Sequence, residues 1–189
     1  LRTYQVLENG KIYCWGSNTS GQFGNGTIDS NRLPSVMLAS LGVDSSDNAN
    51  VYSGSNFTLI EKNNKSLQAV GNNDYNQLAS SSGSSLFPVV TNKSDIDSSP
   101  LMNLEMVKTG LNSFCFLDEG LGYCLGQNNN DFGNPATINF SQNPTIIRNE
   151  DNSSNLDNID ILSNGFGSHR CVSVIGNAYC FGNNEFGRL

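Results

Sequence analysis

Short apolar runs alternate with long polar segments along the chain, and no stretch sustains the i, i+3, i+4, i+7 spacing of an amphipathic helix. The runs are rich in β-branched and aromatic residues and bounded by Gly, Asn and Pro, so they predict short strands. They also recur. Gly16, Gly71, Gly126 and Gly182 are spaced by 55, 55 and 56 residues; Gly54, Gly110 and Gly165 by 56 and 55; Pro34, Pro88 and Pro144 by 54 and 56. A fixed period of this size is the mark of a repeat architecture.

Each period holds four expected strands. One leads into the second glycine landmark: 49–52, 104–107 and 159–162. Two more form a hairpin, as in 57–60 with 67–70 and 113–117 with 122–125. The fourth starts at each proline, where a strand tolerates a missing N–H. Hairpin turns are expected at Asn9-Gly10, Glu119-Gly120 and Ile175-Gly176, two-residue loops of the type I′ kind. Asn63-Asn64 turns a longer hairpin. Segments 44–48, 91–99 and 149–158 are polar, differ most between periods and read as surface loops.

The hairpin's second strand ends in the motif Tyr13-Cys-Trp-Gly-Ser-Asn-Thr-Ser-Gly-Gln-Phe-Gly24, with degraded copies to 78, 132 and 189. The residue before the motif glycine is Trp15, Val70, Leu125 or Phe181, always large and apolar, as a core contact between repeats requires. Asn18, Asn73, Asn128 and Asn184 lie two residues after Gly16, Gly71, Gly126 and Gly182. Asn caps turns with its own side chain and tolerates positive φ, so turn geometry accounts for it. Four antiparallel strands per 55 residues predict an all-β chain: a β-propeller, one blade per repeat and about three and a half blades in all. A β-solenoid is the competing architecture. Residues 1–189 read as a single partial propeller domain with motif copies at 13–24, 69–78, 124–132 and 180–189, an excerpt of a longer protein. Two open faces would make the excerpt marginally stable or prone to aggregate alone.

Composition narrows the function. Charged residues are only 14%, against about 25% typically, and 29 Asn and 25 Ser carry the polarity instead. A net charge of −7 with basic residues scattered singly argues against nucleic acid as partner. No apolar run reaches the roughly 20 residues of a membrane span.

Cysteine spacing carries more. Cys115 and Cys124 flank one two-residue turn, and Cys171 and Cys180 flank another. Counting outward from each turn places both pairs directly opposite, in non-hydrogen-bonded positions with Cα atoms about 4.5 Å apart, within disulfide reach. Disulfides would imply an oxidising compartment; reduced cysteines would be small buried hydrophobes. Cys14, expected opposite Gln5, is left odd, and the second hairpin has Thr58 opposite Ala69 at the equivalent place. No Cys-x-x-Cys supports a zinc site.

The motif of residues 13–27, followed by Pro34-Ser-Val36, resembles the signature of the regulator of chromosome condensation repeat family, and His169-Arg170-Cys171 is similar to that family's hairpin start. Departures are Ala79 in place of glycine, a shortened turn at 128–132, and no tryptophan after Trp15. The resemblance implies a seven-bladed propeller with the remaining blades in the parent chain. It also implies either a protein-binding scaffold, with a cysteine-paired subset secreted or surface-displayed, or a regulator of a small GTPase.

No catalytic, cofactor or metal residues are expected. His169, the single histidine, lacks an identifiable nucleophile or orienting partner for a general base; Asp95, Asp97, Asp157 and Asp160 match no calcium loop. A glycosidase has no paired carboxylates to stand on. Asn-x-Ser/Thr acceptor sequences occur at Asn18, Asn25, Asn56, Asn64, Asn92, Asn139 and Asn152, close to the number that this Asn-, Ser- and Thr-rich composition yields by chance. Asn92 and Asn152, in expected loops, are the leading candidates for glycosylation.

Overall fold

The computed structural model describes residues 2–6, 9–36, 47–80, 83–90, 103–128, 132–133, 140–163, 169–184 and 187. These contain fourteen strands and no α-helix: β1 (Arg2–Val6), β2 (Ile12–Gly16), β3 (Asn31–Val36), β4 (Asn48–Ser53), β5 (Phe57–Lys62), β6 (Leu67–Gly71), β7 (Ser85–Val90), β8 (Leu104–Thr109), β9 (Ser113–Asp118), β10 (Leu121–Gln127), β11 (Phe140–Ile146), β12 (Ile159–Leu162), β13 (His169–Val174) and β14 (Asn177–Gly182). They form four antiparallel sheets in sequence order, β1-β2-β3, β4-β5-β6-β7, β8-β9-β10-β11 and β12-β13-β14. The array is a partial β-propeller whose first and last sheets have three strands each.

The core lies between sheets rather than inside any one of them. Ile12, Cys14 and Phe23 of the first repeat meet Ile60 and Val70 of the second. Phe57, Leu59, Leu67 and Ala69 meet Val107, Phe114, Phe116, Tyr123 and Leu125 of the third. Cys115, Leu117, Cys124 and Phe132 meet Ile159, Leu162 and Val172 of the fourth. Strands β5 and β9 are buried at every position, because period-2 alternation sends successive side chains into two different interlayers. Phe116 stacks on Tyr123 at 5.5 Å, and Phe57 lies 6.1 Å from Phe114 across the interlayer, geometry that aromatic pairs favour.

Three expectations are corrected by the register. Tyr4, not Gln5, faces Cys14, with Val6 opposite Ile12; the β1 side carries one more residue than a two-residue Asn9-Gly10 loop allows. Leu59, not Thr58, faces Ala69, because the loop is three residues, 63–65. Lys62 accepts from the Lys65 amide at 2.9 Å and donates to Ser66 O at 2.9 Å, and Lys65 takes the left-handed conformation at φ 67°, as in three-residue hairpin loops. The prolines do not open the fourth strands. Pro34, Pro88 and Pro144 lie within β3, β7 and β11, each where the register shifts by two residues, between Cys14/Gly16, Ala69/Gly71 and Cys124/Gly126. A bulge on an edge strand is where a missing N–H costs no ladder bond.

The other two turns match expectation. Glu119 and Gly120 have φ of 51° and 73°, and Ile175 and Gly176 of 49° and 80°, the double positive φ of type I′. Loop 149–158 is exposed save for half-buried Asn149 and Leu156, and is closed by a bridge between Arg148 and Asn155. Segments 44–46 and 91–99 lie outside the described residues.

Candidate functional site

The motif is a backbone device. Gly16, Gly71, Gly126 and Gly182 have φ of 107°, 113°, 105° and 116°, a region open only to glycine in practice. A Cβ on Gly71 would also run into the Asn56 carbonyl, and one on Gly126 into that of Asn112. The apolar residue before the glycine points at the preceding sheet: Val70 and Leu125 are fully buried there and Phe181 packs on the last interlayer. Trp15 is half-buried.

The Asn two residues on holds the turn. Asn18 Oδ1 accepts from Phe23 N at 2.8 Å while its Nδ2 donates to Thr27 O at 2.9 Å; Asn73 repeats this with Leu78 N at 2.8 Å and Ser80 O at 2.9 Å. Positive φ falls not on these asparagines but three residues later, at Gly21 and Asn76, and again at Gly24, Ala79 and Gly133. Asn128 is half-buried and Asn184 exposed.

Sequence reasoning passed over the glutamine of the motif. Gln22 and Gln77 are fully buried, each Oε1 accepting the amide two residues earlier, from Ser20 at 2.8 Å and Tyr75 at 2.9 Å. Their stems pack on Gly71 and Gly126 of the following blade. The Gln22 carbonyl accepts from Thr58 Oγ1 of that blade at 2.8 Å. Arg170 occupies the Thr58 place in the last sheet; it is fully buried and donates from Nη2 to Ser113 Oγ at 2.8 Å. The recurrence of Gln after the turn residue was the available signal; for Arg170 there was none beyond a charge inside an apolar alternation.

Cys115 is registered opposite Cys124 and Cys171 opposite Cys180, both with Cα atoms 4.1 Å apart and sulfurs at bonding distance. Their surroundings differ. Cys115 and Cys124 are wholly buried between the third and fourth sheets, whereas Cys180 is exposed and Cys171 half-buried. Cys14 is a buried free thiol; burial pushes its pKa up to about 12, against a hydrogen bond to Ser35 that lowers it.

Glu61 and Asp118 are titratable groups set by their structural hydrogen bonds. Burial alone would raise Glu61, but hydrogen bonds from Lys65, Tyr52 and Asn50 outweigh it and hold the carboxyl below its usual range; the contacts are 2.8, 2.7 and 2.9 Å. Asp118 is raised by burial and by neighbouring Glu119, against a bond from the Asn103 amide. His169 is half-buried at the start of β13. Among the described residues no group of three His, Cys, Asp or Glu side chains could hold a metal, and no helix is long and apolar enough to cross a membrane.

Residues 9–60 match the family model for the regulator of chromosome condensation (RCC1) repeat. A search of curated protein sequences finds no match. Among solved structures, human WBSCR16 superposes with a TM-score of 0.73 at 19% identity, over 97% of this chain and 46% of that one. A chain of the crystal structure of Kap60 bound to yeast RCC1 (Prp20) gives 0.73 at 15% identity, over 97% and 42%. Prp20p from Saccharomyces cerevisiae, described with its binding to Gsp1p and histones, gives 0.71 at 17%, over 96% and 43%. The chain spans less than half the length of these proteins, and at such identities the likeness establishes the fold. Residues 9–60 thus match an RCC1 repeat, and the same glycine geometry returns at Gly71, Gly126 and Gly182.

Proposed function

We propose that this chain is part of a non-enzymatic propeller scaffold, exported from the cell, that binds another protein or a surface glycan through its loops. The remaining blades of a parent chain, seven in all on the family's pattern, would cover the two open faces. The observation that carries the reading is the pair of cysteine bridges across β9-β10 and β13-β14, since structural disulfides persist in oxidising compartments. Exposed loop 149–158 supports it. Asn149 donates to Ser153 and Ser154 hydroxyls at 3.1 and 3.0 Å and accepts from the Ser154 amide at 3.2 Å, so a polar surface is presented with little ordering left to do on binding.

The second reading, a regulator of a small GTPase, rests on the fold shared with yeast RCC1. A nucleotide-exchange assay with the intact protein separates the two. The scaffold reading expects no acceleration of nucleotide release from any small GTPase tested; measurable acceleration would overturn it.

A further inference from the structure

The acceptor asparagines are far from equivalent in three dimensions. Asn18 is fully buried, with Nδ2 committed to the carbonyls of Thr27 and Asp29 at 2.9 and 3.2 Å. Asn56 is exposed, but the hydroxyl its sequence supplies, Thr58 Oγ1, is buried and donates to Gln22 O. At Asn152 both polar groups of Ser154 are engaged by Asn149 instead. Asn92 and Asn139 lie outside the described residues.

Asn64 differs from all of these. It is exposed at the tip of the β5-β6 hairpin, and its Oδ1 accepts from both the amide and the hydroxyl of Ser66, at 3.0 and 2.8 Å. Asn25 makes the same turn with Thr27, at 3.1 and 3.0 Å, but is half-buried. We infer that Asn64 is an N-glycosylation site, taking an oligosaccharide from a lipid-diphosphate donor. Two hydrogen bonds into Oδ1 draw charge onto that oxygen and acidify the Nδ2–H. Nδ2 gives one proton to a base of the transferase and bonds to the anomeric carbon; the bond from that carbon to oxygen breaks, and the lipid diphosphate leaves with its electron pair. Both bonds reach only two residues along the chain, so the geometry is available to the nascent hairpin before the blades pack. The turn lies at a blade's end, where a glycan meets no interlayer.

This inference rests on the export reading, and the test keeps the two apart. The protein is expressed behind a secretory leader in a eukaryotic host, released glycans are marked by amidase cleavage in heavy-oxygen water, and peptides are mapped by mass spectrometry. Heavy-oxygen aspartate is expected at position 64 and not at 18, and is lost in both Asn64→Gln and Ser66→Ala, whose melting transitions match the parent. An unmarked Asn64 in folded, disulfide-bonded protein overturns the inference alone. Reduced cysteines in protein from its native source overturn the export reading whatever position 64 carries.

Discussion

The stem of Gln22 lies against Gly71 of the following blade, so that a Cβ on the glycine would sit 3.1 Å from that of the glutamine. Gln77 and Gly126 repeat the contact one blade on, at 3.2 Å. One residue of the motif thus serves its own turn while another receives the neighbour's turn, and a single short sequence both folds a blade and docks the next.

Replacing that glycine therefore has two costs, a strained φ and a backbone collision. Gly71→Ala is expected to destabilise by at least ~2 kcal/mol, read as a lower urea midpoint. Gly83→Ala, where an added Cβ meets nothing within 4 Å, is expected to leave the midpoint within about 0.5 kcal/mol of the parent.

Ala79 and Ile175, like Lys65 and Glu119, hold left-handed backbone without the glycine or asparagine that suits it. Ala79 has φ 50°, and Ile175, a β-branched side chain 75% exposed, has φ 49°. Ala79→Gly and Ile175→Asn are each expected to stabilise by about 0.5–1 kcal/mol by relieving that strain; a fall in melting temperature for either would show that the native side chain makes a compensating contact.

Alkaline pH should weaken the first interlayer. The Cys14 thiol is held neutral to about pH 12, against 9.0 ordinarily, so the unfolded chain loses its proton first. Stability is then complete below about pH 9 and declines as pH rises through 12. Tyr52, raised by burial and by Glu61, acts in the same direction. Unfolding curves from pH 8 upward should fall less steeply in Cys14→Ala, with the Tyr52 part remaining.

Much of this was legible in the sequence because turns set registers. Glu119-Gly120 and Ile175-Gly176 leave one way to count outward, so opposing cysteines followed directly. In the first two hairpins an extra position on the β1 side and left-handed Lys65 shift the pairing by one residue, and no local composition announces either. The prolines are plain in the sequence, but their place at bulges within the strands is not, since a bulge depends on what the neighbouring strand does. Ala79 was recognisable as a missing glycine, while its strain is visible only in φ. What sets Asn64 apart from the other acceptor sequences, its exposure and the hydroxyl geometry of Ser66, exists only in three dimensions.

The cysteine pairs should also respond to reductant in order. Cys180 is exposed and Cys115 and Cys124 are not, so graded reductant on the native protein should open 171–180 first, and 115–124 only as the fold loosens. Each bridge closes a loop of about ten residues, worth roughly 2.5 kcal/mol on the loop-entropy account.

The most direct test is the oxidation state of the five cysteines, measured by alkylation under denaturing conditions without reductant on protein from its native source, followed by mass spectrometry. One label, on Cys14, is the predicted result. Five labels would contradict the disulfides and, with them, the exported scaffold.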